Sequence, residues 1–306
     1  MKAAVIGVGH LGRHHARILA SMPGVSLAGV VDINRDRAVQ VASQHGTQAF
    51  DTVNELGAID LAIVAVPTES HAAVALPLIE SGVHALVEKP VSRTVIEADS
   101  LIAAAKRKGV VLAVGHSERF NPAVAAARPH ITDPRFIEVH RLGTSPERSL
   151  DIDVVLDLMI HDLDLILSVV RSDVESVEAV GVPVLTPKVD IANARLRFRN
   201  GCIANLTASR ISREAVRKIR FFQRDAYVSI DTAARDVEMW SVVPQWGGAP
   251  TISGGKLTVS ADEPLRRELE DFVAAVRGGR PPAVSGEDGR AALALAIRIV
   301  ELIRQP

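Results

Sequence analysis

A single cysteine, Cys202, stands in a chain of 306 residues, which excludes an intramolecular disulfide framework and suits a reducing compartment. Its setting in a strand pattern makes it a small core filler. Aromatic residues make up only 3%, so few stacking platforms exist for a ligand ring, and Trp240 and Trp246 read as structural. Neither sign of charge dominates: the formal net charge is −1, and nothing predicts steering toward nucleic acid or an anionic membrane. No stretch reaches the roughly 18 apolar residues of a spanning helix. The opening MKAAVIGVGHLG has no signal-peptide cleavage site, and glycine and histidine interrupt its short apolar run. The expectation is a soluble, cytoplasmic protein with no nucleic-acid or membrane partner. There is no internal repeat and no low-complexity segment, and the length favours two domains.

What is present begins at once. KAAVI (2–6) is a short β-branched run that leads into Gly7-Val8-Gly9-His10-Leu11-Gly12, then a helical pattern, then the apolar run SLAGVVD (26–32). Strand, glycine turn, helix and strand define a βαβ unit. GxGxxG alone is a weak signal, but here it has the required context, with the acid Asp32 following 20 residues after Gly12. The first glycine makes the tight turn, the second admits a pyrophosphate against the backbone, and the third lets helix and strand pack closely. The helix N-terminus then faces the phosphates. Asp32 would accept hydrogen bonds from a ribose diol and repel a 2′-phosphate, favouring NAD over NADP, while Arg35 and Arg37 offset part of that repulsion. His14 and His15, in the first helix, read as packing or solvated positions.

The alternation continues through LAIVAV (61–66), a helical AAVALPLIESG, HALVE (84–88), a helix closed by Gly109, and VVLAVGH (110–116). Ligands of open parallel sheets bind beyond the carboxyl ends of the strands. Gly7, Asp32, Pro67-Thr68, Glu88-Lys89-Pro90 and His116 all fall at such ends. A lysine leaving a buried strand is either a solvated exit residue or a chemical tool, and this placement puts Lys89 on the cofactor side.

After about residue 120 the rhythm changes. RFIEVHRLG (135–143) reads as a strand, and ANARLRFRNGCIANLTASRI (192–211) as two strands joined at Asn200-Gly201. Further strands are expected near 217–222, 226–230, 236–243 and 256–260. The fold class is therefore an N-terminal Rossmann dinucleotide-binding domain (1–122) and a C-terminal open, mostly antiparallel sheet domain (123–285), with a C-terminal helix (286–306) packing back on the first. One long helical pattern, 154–170, interrupts the strands. It places Asp157 and His161 four apart on one face, with Asp164 three further on. A carboxylate beside an imidazole fixes its tautomer and raises its basicity. Spacing alone favours the plainer reading, helix N-terminal acids with a solvated histidine. Zinc would prefer a second histidine or a thiolate, so no metal is expected.

Taken in order, Gly7-x-Gly9-x-x-Gly12, Asp32, Val66-Pro67-Thr68 with His71, Glu88-Lys89-Pro90, the segment Gly115-His116 to Asn121-Pro122, and Asp157-x-x-x-His161 with Asp164 resemble the Gfo/Idh/MocA oxidoreductase family over essentially the whole chain. The resemblance implies oxidation or reduction of a secondary ring hydroxyl, with Lys89 at the reacting oxygen, His161 taking or giving the proton, and Asp157 beside it. It places His116, Arg119 and Asn121 near the substrate. The implied cofactor set is Gly7, Gly9, His10, Leu11, Gly12, Asp32, Arg37, Val66, Pro67, Thr68, His71, Glu88 and Lys89. It also implies a cis peptide before Pro90. One departure concerns SLDIDVV and Met159-Ile160, where many relatives carry glycines, and it bears on pocket shape. The expected substrate is a nucleotide sugar such as UDP-N-acetylglucosamine; the loop 144–151 offers Ser/Thr hydroxyls and Arg148 that could meet its phosphates, and reads equally as a solvated loop. The alternatives are a free sugar or inositol, or a non-catalytic NAD-binding sensor. A homodimer or homotetramer is expected through the sheet face carrying Asn193, Arg195 and Arg197.

Overall fold

The computed structural model describes residues 1–144, 152–246 and 248–304; Arg148 and most of its loop lie outside the described residues. The chain divides into two compact units, one of Met1–Ser117 with Leu265–Leu293, the other of Glu118–Pro264 with the residues from Ala294 on.

The first unit is a six-stranded parallel sheet flanked by helices. Its elements run β1 (Lys2–Ile6), α1 (Gly12–Ala20), β2 (Ser26–Val31), α2 (Arg35–His45), β3 (Gln48–Phe50), β4 (Leu61–Val64), α3 (His71–Glu80), β5 (His84–Glu88), α4 (Val95–Lys108) and β6 (Leu112–Gly115). The strand order β3-β2-β1-β4-β5-β6 reverses direction between β1 and β4, the switch point where such sheets bind dinucleotides. β4 is apolar and buried on both faces, the pattern read as a continuous run in the sequence, and β5 buries Ala85, Leu86 and Val87 between His84 and Glu88. α4 starts on a Thr94/Glu97 capping box and stops at Gly109, whose φ of +66° is the left-handed conformation glycine adopts freely. Leu269, Phe272 and Val273, from a helix late in the chain, complete this unit's core with Ile18, Leu19 and Ile63. The sequence expectation of a second domain running to 285 includes this segment, whereas the structure places it in the first unit. Its apolar face at helical spacing gives no hint of which sheet it covers.

The second unit holds α5 (Pro122–Ala127), β7 (Phe136–Leu142), α6 (Ile160–Val170), β8 (Val174–Val182), β9 (Ile191–Phe198), β10 (Ile203–Ser209), β11 (Val216–Phe222), β12 (Ala226–Asp231), β13 (Asp236–Val243) and β14 (Thr251–Lys256). The sheet order is β14-β13-β12-β11-β7-β10-β9-β8, antiparallel except for the central β7–β10 pair. β9 and β10 turn at Asn200-Gly201, with Gly201 at φ +84°. Along β9 the residues Ala192, Ala194, Leu196 and Phe198 are buried, and Asn193, Arg195 and Arg197 face outward. The strand expected at 256–260 lies earlier, at Thr251–Lys256. Gly254 explains the shift: a Cβ there would collide with the Met239 carbonyl of β13, so glycine here marks close strand approach rather than a break. The last helices are α7 (Pro264–Gly278) and α8 (Gly286–Arg304). Gly289 of α8 lies so near β6 that a Cβ would come within 2.6 Å of Val114, which seats the start of α8 on the first unit's sheet.

Candidate active site

The glycine turn divides its work as the spacing predicts. Gly7 has φ +85°, and a Cβ on it would come within 2.7 Å of the Ala65 carbonyl oxygen; one on Gly12 would run into the carbonyl of Gly7. At Gly9 the nearest atom to a built Cβ is the Arg37 guanidinium at 3.4 Å, so the middle of the turn is left open. α1 begins there with no side chain capping its N-terminus and no acid in its first turn. An uncapped helix start behind an open glycine turn suits a pyrophosphate. His10 and Leu11 are exposed on this turn, and His10 Nδ1 lies 3.4 Å from Arg13.

Asp32 is buried at the end of β2, where Oδ2 accepts from Val8 N–H and Oδ1 from Asn34 N–H, each at 2.9 Å. Each carboxylate oxygen keeps a further lone pair for a ribose hydroxyl. Arg37 stands 3.7 Å from Oδ2 and tempers the charge. These residues fit a dinucleotide: Gly7, Gly9 and Gly12 would hold the phosphates, and Asp32 the ribose.

Pro67 is exposed and Thr68 half-buried beyond β4, and His71 opens α3 wholly buried. Its Nδ1 lies 2.8 Å from the Pro90 carbonyl and its Nε2 2.9 Å from that of Val66. Burial lowers its pKa against the opposing pull of the two carbonyls. A neutral ring has one N–H, so it donates to one carbonyl and only faces the other. His71 therefore ties the turns after β4 and β5 together.

Glu88 is buried at the end of β5 and Lys89 is half-buried, with the Lys89–Pro90 peptide cis. The Glu88 carboxylate turns inward: Oε1 pairs with His15 Nε2 at 2.7 Å, and Oε2 accepts the Lys89 backbone N–H at 3.2 Å. Burial favours protonation of Glu88, but the His15 hydrogen bond and the charges of His15 and Lys89 outweigh it and hold the carboxyl below its ordinary pKa. His116, at the end of β6, is fully buried. Among the described residues, one group of possible metal ligands is brought together, His15, Glu88 and Glu268.

In the second unit, Asp157 lies within a π-helical turn, Val155–Met159, and His161 is the second residue of α6. Both are half-buried. Single π-turns inside helices recur at functional sites. Asp153, just ahead, accepts from Val189 N–H at 3.0 Å and from Arg304 at 2.8 Å, fixing the entry to this turn. Past His161, Asp162 makes a bidentate pair with Arg141 and Asp164 one with Arg119, every bond 2.7 Å. Glu118 adds a second acid 3.6 Å from Arg141. Arg119, expected near substrate, thus directs its Nε and one NH2 at a fully buried acid. Asn121 caps α5 through Ala123 N–H at 3.0 Å and donates to the Thr232 carbonyl at 3.1 Å, so its amide serves the fold at both ends.

Sequence reasoning missed two residues, Arg141 and His15. The signal for Arg141 was present, since alternation along β7 puts it on the inward face with Ile137 and Val139. For His15 there was none, because its partner Glu88 is 73 residues away.

Residues 1–116 match the family model described as an oxidoreductase family with an NAD-binding Rossmann fold, and residues 130–227 match the Gfo/Idh/MocA C-terminal domain. The chain is 41% identical over 305 residues to the UDP-N-acetylglucosamine 3-dehydrogenase of Acidithiobacillus ferrooxidans, covering 98% of this chain and 96% of that protein. The chain belongs to the Gfo/Idh/MocA family. A solved structure of the Acidithiobacillus ferrooxidans enzyme superposes with a TM-score of 0.93 at 39% identity, covering 99% of this chain and 97% of that one. The myo-inositol 2-dehydrogenase of Thermotoga maritima is 27% identical over 96% of this chain and 94% of its own. A levoglucosan dehydrogenase structure, at 19% identity and TM-score 0.89, shares the fold. Membership makes the protein an oxidoreductase with an NAD-binding Rossmann domain. No helix among the described residues is long and apolar enough to cross a membrane.

Proposed function

We propose that this protein is an NAD-dependent dehydrogenase that oxidises the 3-hydroxyl of UDP-N-acetylglucosamine. The observation that carries the reading is 41% identity spread over 98% of the chain to an enzyme of that name, with Lys89, Asp157 and His161 all in place. A scaffold that only sensed NAD would have no use for that trio.

Bound nicotinamide supplies the hydride acceptor. The chain's own residues handle the oxygen and its proton. Lys89 donates a hydrogen bond to the reacting hydroxyl and stabilises negative charge as it develops there. His161 accepts the hydroxyl proton, and Asp157 orients the imidazole and supports the positive charge it gains. The ring carbon is left as a ketone. Asp32, with its charge facing the ribose, makes NAD the preferred cofactor over NADP.

The outward face of the second unit's sheet, with Asn193 bonded to Thr207 at 2.9 Å and Arg195 to Asn205 at 3.1 Å, is assigned to self-association as a homodimer or homotetramer. The inositol dehydrogenase relative favours a second reading, a free cyclitol as substrate. Reduced-cofactor formation with UDP-N-acetylglucosamine, N-acetylglucosamine, myo-inositol and glucose separates the two. Turnover with the nucleotide sugar alone supports the first reading, and turnover with inositol in its place overturns it.

A further inference from the structure

His15, Glu88 and Glu268 are buried titratable side chains of the first unit to which the proposed reaction gives no step. They come from α1, β5 and α7, are 0%, 6% and 1% exposed, and bring one donor atom each within 4.8 Å of the others. One imidazole and two carboxylates suggest a metal, but the geometry argues against one. His15 Nε2 and Glu88 Oε1 are 2.7 Å apart, the length of a charge-assisted hydrogen bond. Two ligands of a tetrahedral zinc would stand about 3.3 Å apart. That separation fits a shared proton rather than a metal ion.

The carboxylate of Glu88 is held in place on its other side as well. Gly115 of β6 is the register partner of Glu88, and a Cβ on it would come within 2.9 Å of Glu88 Oε2 and 3.0 Å of Cδ. Glycine there lets the carboxylate lie across β6 with Oε2 turned to the Lys89 backbone N–H. On the far side of Lys89, the Pro90 carbonyl meets His71 Nδ1 at 2.8 Å. The backbone of Lys89 is thus tied at both flanks to buried imidazoles, through a side chain before it and a carbonyl after it.

We infer that His15 is a positioning residue for Lys89, acting through Glu88: its hydrogen bond fixes the carboxylate that receives the Lys89 N–H, and so fixes where the lysine leaves the strand. The inference rests on the role of Lys89 proposed above. It differs from a purely architectural role in one respect. A buried polar pair can be replaced by apolar side chains with little loss of stability, whereas the tie to Lys89 cannot.

The test uses His15→Leu, His15→Gln, the double variant His15→Leu/Glu88→Leu, and Lys89→Met as a control, assayed with NAD and UDP-N-acetylglucosamine. Melting midpoint and NAD affinity are measured alongside kcat and KM. A misplacement of the lysine by about 1 Å predicts a kcat loss on the order of 10²-fold for His15→Leu, with NAD affinity kept. His15→Gln retains an N–H donor and should recover most of that loss. The double variant should regain the midpoint lost by His15→Leu while kcat stays low. Recovery of kcat together with the midpoint overturns the inference, as does His15→Gln performing no better than His15→Leu. Should Lys89→Met keep full turnover, the reading of Lys89 itself falls. An inactive Lys89→Met beside a fully active His15→Leu removes only the role of His15.

Discussion

Replacing Arg141 by methionine probes the segment that carries the proposed base. Arg141 is 5% exposed and Asp162 2%, joined by two bonds of 2.7 Å, with Glu118 at 3.6 Å. Methionine keeps most of the volume and removes the charge, leaving Asp162 and Glu118 without their paired guanidinium and only the lesser pull of Arg217 on Asp162. Removing one partner of a buried pair costs about 3–5 kcal/mol. At roughly 2–4 °C per kcal/mol for a domain of about 150–250 residues, the melting midpoint should fall by about 6–20 °C. The loss should depend on pH. Burial raises the pKa of Asp162, and Arg141 is the main group opposing that rise. Without Arg141 the folded-state pKa climbs further. A carboxyl whose pKa is raised on folding contributes stability that is present at low pH and lost as pH rises through that value. The deficit of Arg141→Met relative to wild type should therefore be small near pH ~5 and large near pH ~8. Differential scanning fluorimetry at both values measures it. A drop that is the same at both would refute the electrostatic reasoning, and Arg141→Met/Asp162→Leu should restore most of the midpoint.

Arg119→Met tests whether that residue serves substrate or fold. Its bidentate pairing with fully buried Asp164 predicts a midpoint loss of similar size, relieved by Arg119→Met/Asp164→Leu, whereas a raised KM at an unchanged midpoint would make it a substrate residue. Asp32→Ala should narrow the preference for NAD over NADP by removing the charge that opposes a 2′-phosphate. Calorimetric titration with both oxidised cofactors checks it, and tighter NADP binding by the wild type would mean that Arg35 and Arg37 outweigh Asp32.

The first unit was legible because its signals are local. Gly7, Gly9 and Gly12 act within six residues of one another, and apolar runs such as LAIVAV become strands buried on both faces. The second unit was legible where alternation was clean, as along β9, and lost where it was not. VESVEAVGV forms β8 at the sheet edge, yet its exposed Glu175 and Glu178 hide the strand pattern. The π-turn around Asp157 leaves no signature in residue type. The buried pairs of each unit, His15 with Glu88 in the first and Arg119 with Asp164 and Arg141 with Asp162 in the second, join residues 21 to 73 positions apart, and of these only Arg141 carries a local signal, its inward place on an alternating strand.

In the proposed reaction, hydrogen leaves one ring carbon of a nucleotide sugar as hydride while His161 takes the hydroxyl proton. The most direct test supplies NAD with UDP-N-acetylglucosamine deuterated only at C3 and examines the recovered reduced cofactor by mass spectrometry. Each reduced cofactor formed should carry one deuterium, and His161→Ala should slow its appearance by about 10²–10⁴-fold. Reduced cofactor without deuterium, or full-rate transfer by His161→Ala, would contradict it.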